Sequence, residues 1–423
     1  MTERNNAKLV LGILICSIAA LFYCYEYLLR IIPGIMEAEL RVAFGNISAT
    51  SFGTLSAYYY FAYTPMQLPA GVLMDKLGPR RLLLLACLLC ALGSWLFTFT
   101  DYYFVAALGR FLVGFGSAFA FVGVLTLAVA WLPASMFSMV AGFVTTLGML
   151  GAMAGQVGMS YLIETSGWLS VLNLGPILGL VLCVVMFIGL KDKPKSIKTQ
   201  EEEAKKGGPK FLKQLAKVLT DGQIWLVGLI GSLLFLSLSV FAEVWGKSYL
   251  MVAHHLTNLQ ASSSISMVFL GWAIGGPILG LIADVTNRRL TMIMIGALLA
   301  CTAISALLYL SDLTLMQVNI LLFLYGLFCS VEVIVFSIAK DSSKPQFAGT
   351  VLASVNMIIM LGGVVFQPLV GKLLDYFWNG HMHSQMRVYS PADYQLVLSF
   401  LPLSLLCVSI AVFFVRESNK ERI

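Results

Sequence analysis

Twelve stretches of this chain are almost wholly apolar over the length of a bilayer crossing. They run through 9–32, 50–74, 81–100, 103–131, 136–162, 168–190, 223–246, 262–283, 290–310, 315–339, 346–371 and 394–415. About 20 such residues cross roughly 30 Å of hydrocarbon as helix, and only helices or closed barrels satisfy their own backbone there. The pattern predicts an all-α polytopic membrane protein with twelve transmembrane helices. With 59% hydrophobic and 11% charged residues, it excludes a large soluble α/β protein, which would need polar loops of ordinary size. The first run carries Glu26 and Arg30 and no small-residue cleavage site follows it. It is therefore expected to stay as span 1 rather than leave as a signal peptide.

Between runs two and three stands Gly71-Val-Leu-Met-Asp75-Lys-Leu-Gly78-Pro-Arg80-Arg81, and 209 residues later comes Gly280-Leu-Ile-Ala-Asp284-Val-Thr-Asn-Arg288-Arg289. A repeat of that period predicts two pseudo-symmetric six-helix bundles, 1–190 and 221–423. They are joined by a linker, 191–220, with a short amphipathic stretch at 210–219. Two such halves around a central path move a solute rather than transform one. Charge sets the orientation. Alternate loops and the termini hold 21 of the 27 Lys and Arg, among them the nine Lys between Lys191 and Lys217. The basic side is the cytoplasmic one, so both termini and the linker are expected in the cytoplasm of a cytoplasmic (inner) membrane. The same asymmetry accounts for the net charge of +6 without a nucleic-acid partner, leaving membrane lipid as the surface the basic loops meet.

Gly78-Pro79 makes a tight turn at the membrane edge, where Asp75 can pair with a basic group or cap a helix. A bond of that kind, formed in only some arrangements of the halves, latches one conformation; headgroup anchoring is the plainer role for Arg80, Arg81, Arg288 and Arg289. These residues carry a family resemblance. Over nearly its full length the chain resembles the major facilitator superfamily of transporters, of bacterial type. Gly71, Asp75, Gly78, Arg80 and Arg81 match the signature between helices 2 and 3. Gly280, Asp284, Arg288 and Arg289 match the weaker one between helices 8 and 9, although Thr286-Asn287 stand where its middle glycine would be. Arg110-x-x-x-Gly114-x-Gly116 is similar to the helix-4 signature. The resemblance implies alternating access, with coupling to an ion gradient.

Charges inside hydrocarbon cost several kcal/mol and normally face a cavity or a partner (about 2.5–3.5 on insertion scales). Span 1 holds Glu26 and Arg30, and span 7 holds Glu243 and Lys247, the same acid-then-base spacing 217 residues on. Four residues put each pair on one helical face, and both pairs are expected to flank the path near its outer end. Arg110 of span 4 lies at a similar depth, so a Glu26–Arg110 pair is possible. Glu26 is expected to take up the proton, with Arg110 or Arg30 favouring its charged form until the solute or a rearrangement separates them; a static salt bridge is the alternative. Glu332, without a nearby base, is the second coupling candidate. Asp375 and Lys372 read as interfacial. Tyr23 and Tyr27 share the Glu26/Arg30 face, Tyr59 and Tyr63 fall mid-span in span 2, and Asn356 adds a neutral contact. Packing explains any one of them, but together they suggest a polar cavity. Gly148, Gly151, Gly155 and Gly158 give span 5 a small face for close approach.

Both signs of charge favour a small polar solute that bears a carboxylate or is zwitterionic, with Arg30, Lys247 and Arg110 toward its anionic end. Glu26, Glu243 or Glu332 would meet an ammonium or carry the proton. The run Tyr23-x-Tyr-Glu-Tyr-Leu-Leu-Arg-Ile-Ile-Pro33 resembles the organic-anion and phosphate-ester branch of the superfamily. Amino-acid and dipeptide carriers stay compatible, followed by a proton-coupled exporter and a non-cycling sensor on a transporter scaffold. No HExxH, Gly-x-Ser-x-Gly or nucleotide-binding loop is present, so neither an enzyme nor ATP-driven transport is expected. The eight Cys are scattered through apolar runs and the four His form no ligand cluster, so no metal or cofactor is expected. The unit is expected to work as a monomer.

Overall fold

The computed structural model describes residues 2–99, 101–133, 136–191, 215–216, 218–341, 348–383 and 386–416. The linker reading, including its amphipathic stretch, falls mostly outside these residues, as does the side chain of Asp75. The architecture is helical, apart from a two-residue ladder, Met382–His383 against Met386–Arg387, before the last span. That hairpin has no counterpart in the sequence-based reading.

Eleven described helices are long and apolar enough to cross a bilayer, from Leu9–Ile35 to Pro391–Phe414. The second expected run forms a helix too, Ala49–Leu77, but is not among the eleven. Its tyrosines, threonines and Gln67 make it the most polar of the expected crossings. Four spans depart from plain α geometry. Span 12 is broken between Pro391–Leu398 and Phe400–Ala411 and ends in a 3₁₀ turn, Val412–Phe414. Span 4 is broken between Tyr103–Ser117 and Ala120–Trp131. Span 10 carries a 3₁₀ turn, Ser330–Glu332. Span 7 holds a nine-residue π segment, Ser237–Trp245; π turns are rare and cluster at functional sites.

Glycine sets how closely helices approach. A Cβ on Gly114 would sit 2.0 Å from the carbonyl oxygen of Tyr59, and one on Gly326 2.1 Å from that of Val268. Spans 4 and 2 therefore touch as spans 10 and 8 do, which is the repeat written in packing. In span 5, Gly148 faces the rings of Tyr23 and Tyr27, and Gly151 the Cys24 backbone, so its small face lies on span 1. Between the halves, spans 2 and 11 cross. At one end Gly53 meets the Gln367 carbonyl and Gly371 that of Ala49; at the other, Gly71 and Gly349 have nothing within 4 Å of a built Cβ. The two halves press together at the end away from the termini, called here the far end, the other being the near end.

Candidate functional site

Arg30 stands at the centre of the polar cluster. Its Nη2 donates to both oxygens of Glu26, at 3.2 and 3.3 Å. Nε and Nη2 donate to the Tyr59 hydroxyl at 3.0 and 2.8 Å, and that hydroxyl donates to Glu26 Oε2 at 2.9 Å. The rings of Tyr27, Tyr59, Tyr63 and Tyr60 lie 4.3, 5.0, 5.1 and 6.0 Å from the guanidinium carbon, within cation–π reach. Tyr23 packs edge-on against Tyr27. The expected i, i+4 pair is present, enclosed by span 2 tyrosines that Gly114 allows so close.

The second half reaches this cluster through Glu243. Tyr60 donates to Glu243 Oε2 at 2.7 Å. The other oxygen, Oε1, accepts no hydrogen bond although the residue is 0% exposed. It stands 3.9 Å from Arg30 Nη1, beyond hydrogen-bond distance, and Nη1 makes no hydrogen bond to a carboxylate among the described residues.

Lys247 does not join them. Its ammonium donates to the Ile35 carbonyl at the far end of span 1. Both side chains nonetheless face span 1, Glu243 toward Arg30 and Lys247 toward Ile35 about a turn further on, so the four-residue spacing keeps the face but not the pairing. Gln156 and Gln367 donate to the carbonyls of Ala242 and Ser239 within the π segment, at 3.1 and 2.6 Å.

Arg110 also departs from expectation. It does not pair with Glu26. Its Nη1 and Nη2 donate to the carbonyls of Leu29 and Arg30 at 2.7 and 3.2 Å. Pro33 lies inside the span 1 helix and offers no N–H to Leu29 four residues earlier, so Arg110 supplies the missing donor and braces the turn that carries Arg30. Glu332 is buried on its 3₁₀ turn and makes no hydrogen bond or ion pair among the described residues. Asn356 donates to Gln67 Oε1 at 2.8 Å, joining the halves.

The edge motifs lie apart from the cluster. Gly78 takes φ +82° at the first corner, while Asn287 takes left-handed φ +51° at the second, so asparagine does the work of the absent glycine. Arg80 donates to the Phe187 carbonyl at 2.9 Å and Arg81 is exposed. Arg289 bonds Asp284 at 3.0 Å and Asp341 at 2.7 Å, with Arg288 exposed. These contacts each lie within one half.

A far-end cluster was missed in the sequence. Asp375, read as interfacial, accepts from the Thr50 amide and hydroxyl at 2.8 and 2.5 Å and from the Tyr389 hydroxyl at 2.6 Å. Arg387 bonds it at 3.0 Å. It places a negative charge on the N-terminus of span 2, where the helix dipole favours one. Arg41 reaches the Arg387 carbonyl at 3.2 Å and the Tyr389 hydroxyl at 3.4 Å, and Ser248 donates to Glu37. Burial, then the hydrogen bond to Asp375, pushes the Tyr389 hydroxyl up from its ordinary value, so it stays a donor at neutral pH. The partners sit 325 residues apart, and no local pattern pairs them.

The Major Facilitator Superfamily profile matches residues 10–367. The chain belongs to that superfamily. It is a secondary active transporter of the membrane, not an enzyme. Among relatives, the probable sulfoacetate transporter SauU of Cupriavidus necator is 22% identical over 379 residues, 86% of this chain and 87% of its own. The probable anion transporter 5 of Arabidopsis thaliana is 26% identical over 405 residues, 89% and 90% of the two chains. Of solved structures, a bacterial homologue of the human lysosomal transporter Spinster, in an inward-facing and unoccupied conformation, superposes with a TM-score of 0.79 at 13% identity. It covers 96% of this chain and 97% of that one.

Proposed function

We propose that this transporter carries a small organic anion, bearing a carboxylate or sulfonate, by alternating access, in symport with protons. The observation that carries the reading is Arg30: a guanidinium at the junction of the halves, its Nε and Nη2 fixed by Tyr59 and Glu26, its Nη1 facing a carboxylate 3.9 Å away. A guanidinium fork matches an anionic oxygen pair, and tyrosine rings enclose the apolar part of a small solute. Relatives named for sulfoacetate and for anions support the class. Coupling follows from competition. A bound anion about 4 Å from an ionised glutamate is repelled by about 4 kcal/mol at an effective dielectric of 20, so entry of a proton into the Glu26/Glu243 set favours entry of the anion.

In this reading Ala49–Leu77 is the twelfth crossing, the bundles are 1–190 and 221–423, and the near end, with both termini, faces the cytoplasm. The state described is closed outward and parted inward, with the edge motifs re-forming as latches when the near end closes. The monomer is the working unit. A second reading, an amino-acid or dipeptide carrier, is favoured by one feature, the Glu243 oxygen that accepts no hydrogen bond and could accept one from an ammonium.

Counterflow in proteoliposomes tests the class, with sulfoacetate, succinate and phosphate set against glutamate and a dipeptide. Exchange of an anion in wild type, lost in Arg30→Gln, supports the reading. Exchange confined to the zwitterions, or intact in Arg30→Gln, overturns it.

A further inference from the structure

The two buried glutamates differ in what holds them. Glu26 accepts three hydrogen bonds, two from Arg30 and one from Tyr59. Glu243 accepts one, from Tyr60 on Oε2, and its Oε1 accepts none. An ionised carboxylate in a dry site needs donors on both oxygens; Glu26 has them, and Glu243 has them on one side only. A carboxyl group that carries its proton on Oε1 is instead a donor and leaves nothing unsatisfied.

Resting on the anion reading of the site, we infer that Glu243 of span 7, rather than Glu26, takes up the symported proton, and that its protonated Oε1 donates to the solute's anionic group while Arg30 Nη1 holds the same group from the other side. The proton moves from solvent to Glu243 and back, with no other bond made or broken. The groups set against Glu243 fit this role. Span 1 presents Arg30 with Glu26 behind it, span 2 presents Tyr60 and Tyr59, and span 4 presents Arg110. Spans 5 and 11 touch its π segment through the neutral Gln156 and Gln367.

Position adds a second consequence. A Cβ on Gly34 would lie 2.1 Å from the Glu243 carbonyl oxygen, so Glu243 sits where span 1 of one half bears on span 7 of the other. Whatever separates the halves separates Arg30 from Glu243, whereas Glu26 travels with Arg30 on one helix. A proton on Glu243 therefore weakens the ionic link between halves and strengthens anion binding at once. By linkage, the anion raises proton affinity by the same factor.

The test uses the full-length protein in proteoliposomes, with sulfoacetate as the probe and succinate in parallel. Glu243→Gln, whose amide can donate but cannot titrate, should lose accumulation driven by a pH gradient and flatten the pH profile of the exchange that remains between about pH 5 and 8. Glu26→Gln should retain a pH-dependent profile. A Glu243→Gln protein that still accumulates probe with the gradient overturns the assignment; so does loss of pH dependence in Glu26→Gln alone. Should Glu243→Gln not fold or not exchange, Tyr60→Phe and Tyr59→Phe decide. Tyr60→Phe should move the midpoint of the profile by about half a pH unit or more and Tyr59→Phe should not; the reverse overturns it. Absence of any anion exchange in wild type fails the transport reading instead, and the two failures are thereby told apart.

Discussion

The two halves share a skeleton and divide the chemistry between them. Gly114 seats span 4 on Tyr59, and Gly326 seats span 10 on Val268 in the same way. Beside the first contact stand Tyr60, Tyr63 and Arg110; at the corresponding places in the second half stand Phe269, Trp272 and Leu322. The acid–base pair is also present twice, yet only Arg30 stays with its glutamate, while Lys247 is carried off to the Ile35 carbonyl. The duplicated fold thus keeps one polar half that holds the guanidinium and one apolar half that offers a single carboxylate to it. In the proposed reading, recognition is concentrated in the first half, and the second responds.

That asymmetry can be broken most severely at Arg30. Arg30→Gln leaves two buried carboxylates without their cation, so transport should vanish and thermal stability in detergent should fall by about 3–5 kcal/mol; an active, stable variant would remove the centre from the argument. Next come the paired glycines. Gly114→Ala and Gly326→Ala should each destabilise by about 1–3 kcal/mol through overpacking. Only Gly114→Ala, which displaces Tyr59, should reduce exchange beyond the stability loss, and equal transport defects would make the halves functionally alike. Asp375→Asn removes the charge that caps span 2 and pairs with Arg387. A loss of up to about 2 kcal/mol of far-end closure is expected, read as faster labelling of a cysteine placed at Thr50. Lys247→Gln should cost least, about 1 kcal/mol, with the pH profile of exchange unchanged. A large effect there would restore symmetry between the two pairs.

Run length made the helices legible, because bilayer length is written in it. The Glu26–Arg30 pair was legible because an i, i+4 spacing in an α-helix fixes a face. At Glu243–Lys247 the spacing again set both side chains on one face, toward span 1, but it could not show that Lys247 bonds the Ile35 carbonyl instead of its glutamate, and nothing in Ser-Leu-Ser-Val-Phe-Ala-Glu-Val-Trp announces a π segment whose carbonyls accept from Gln156 and Gln367. Arg110 was weighed, beside Arg30, as a partner of Glu26, and it bonds the Leu29 and Arg30 carbonyls instead. Pro33 was the clue, since a carbonyl it frees attracts a guanidinium as well as a carboxylate does. Asp375 and Tyr389 could not be paired with Thr50 and Arg41 before the chain was folded, because their contacts join opposite ends of the sequence.

Span 2, the most polar of the twelve expected runs, is the one whose helix is not among the eleven apolar enough to cross a bilayer, yet it carries the tyrosines that hold Arg30 and Glu243. Its entry into the bilayer during synthesis cannot rest on its own partitioning. The Tyr59 hydroxyl finds its acceptor on span 1, so this helix should be retained in the membrane only after its predecessor is in place, and a nascent chain lacking span 1 should leave it on the ribosomal side. The polarity that equips the helix for transport makes its insertion a joint event with its neighbour.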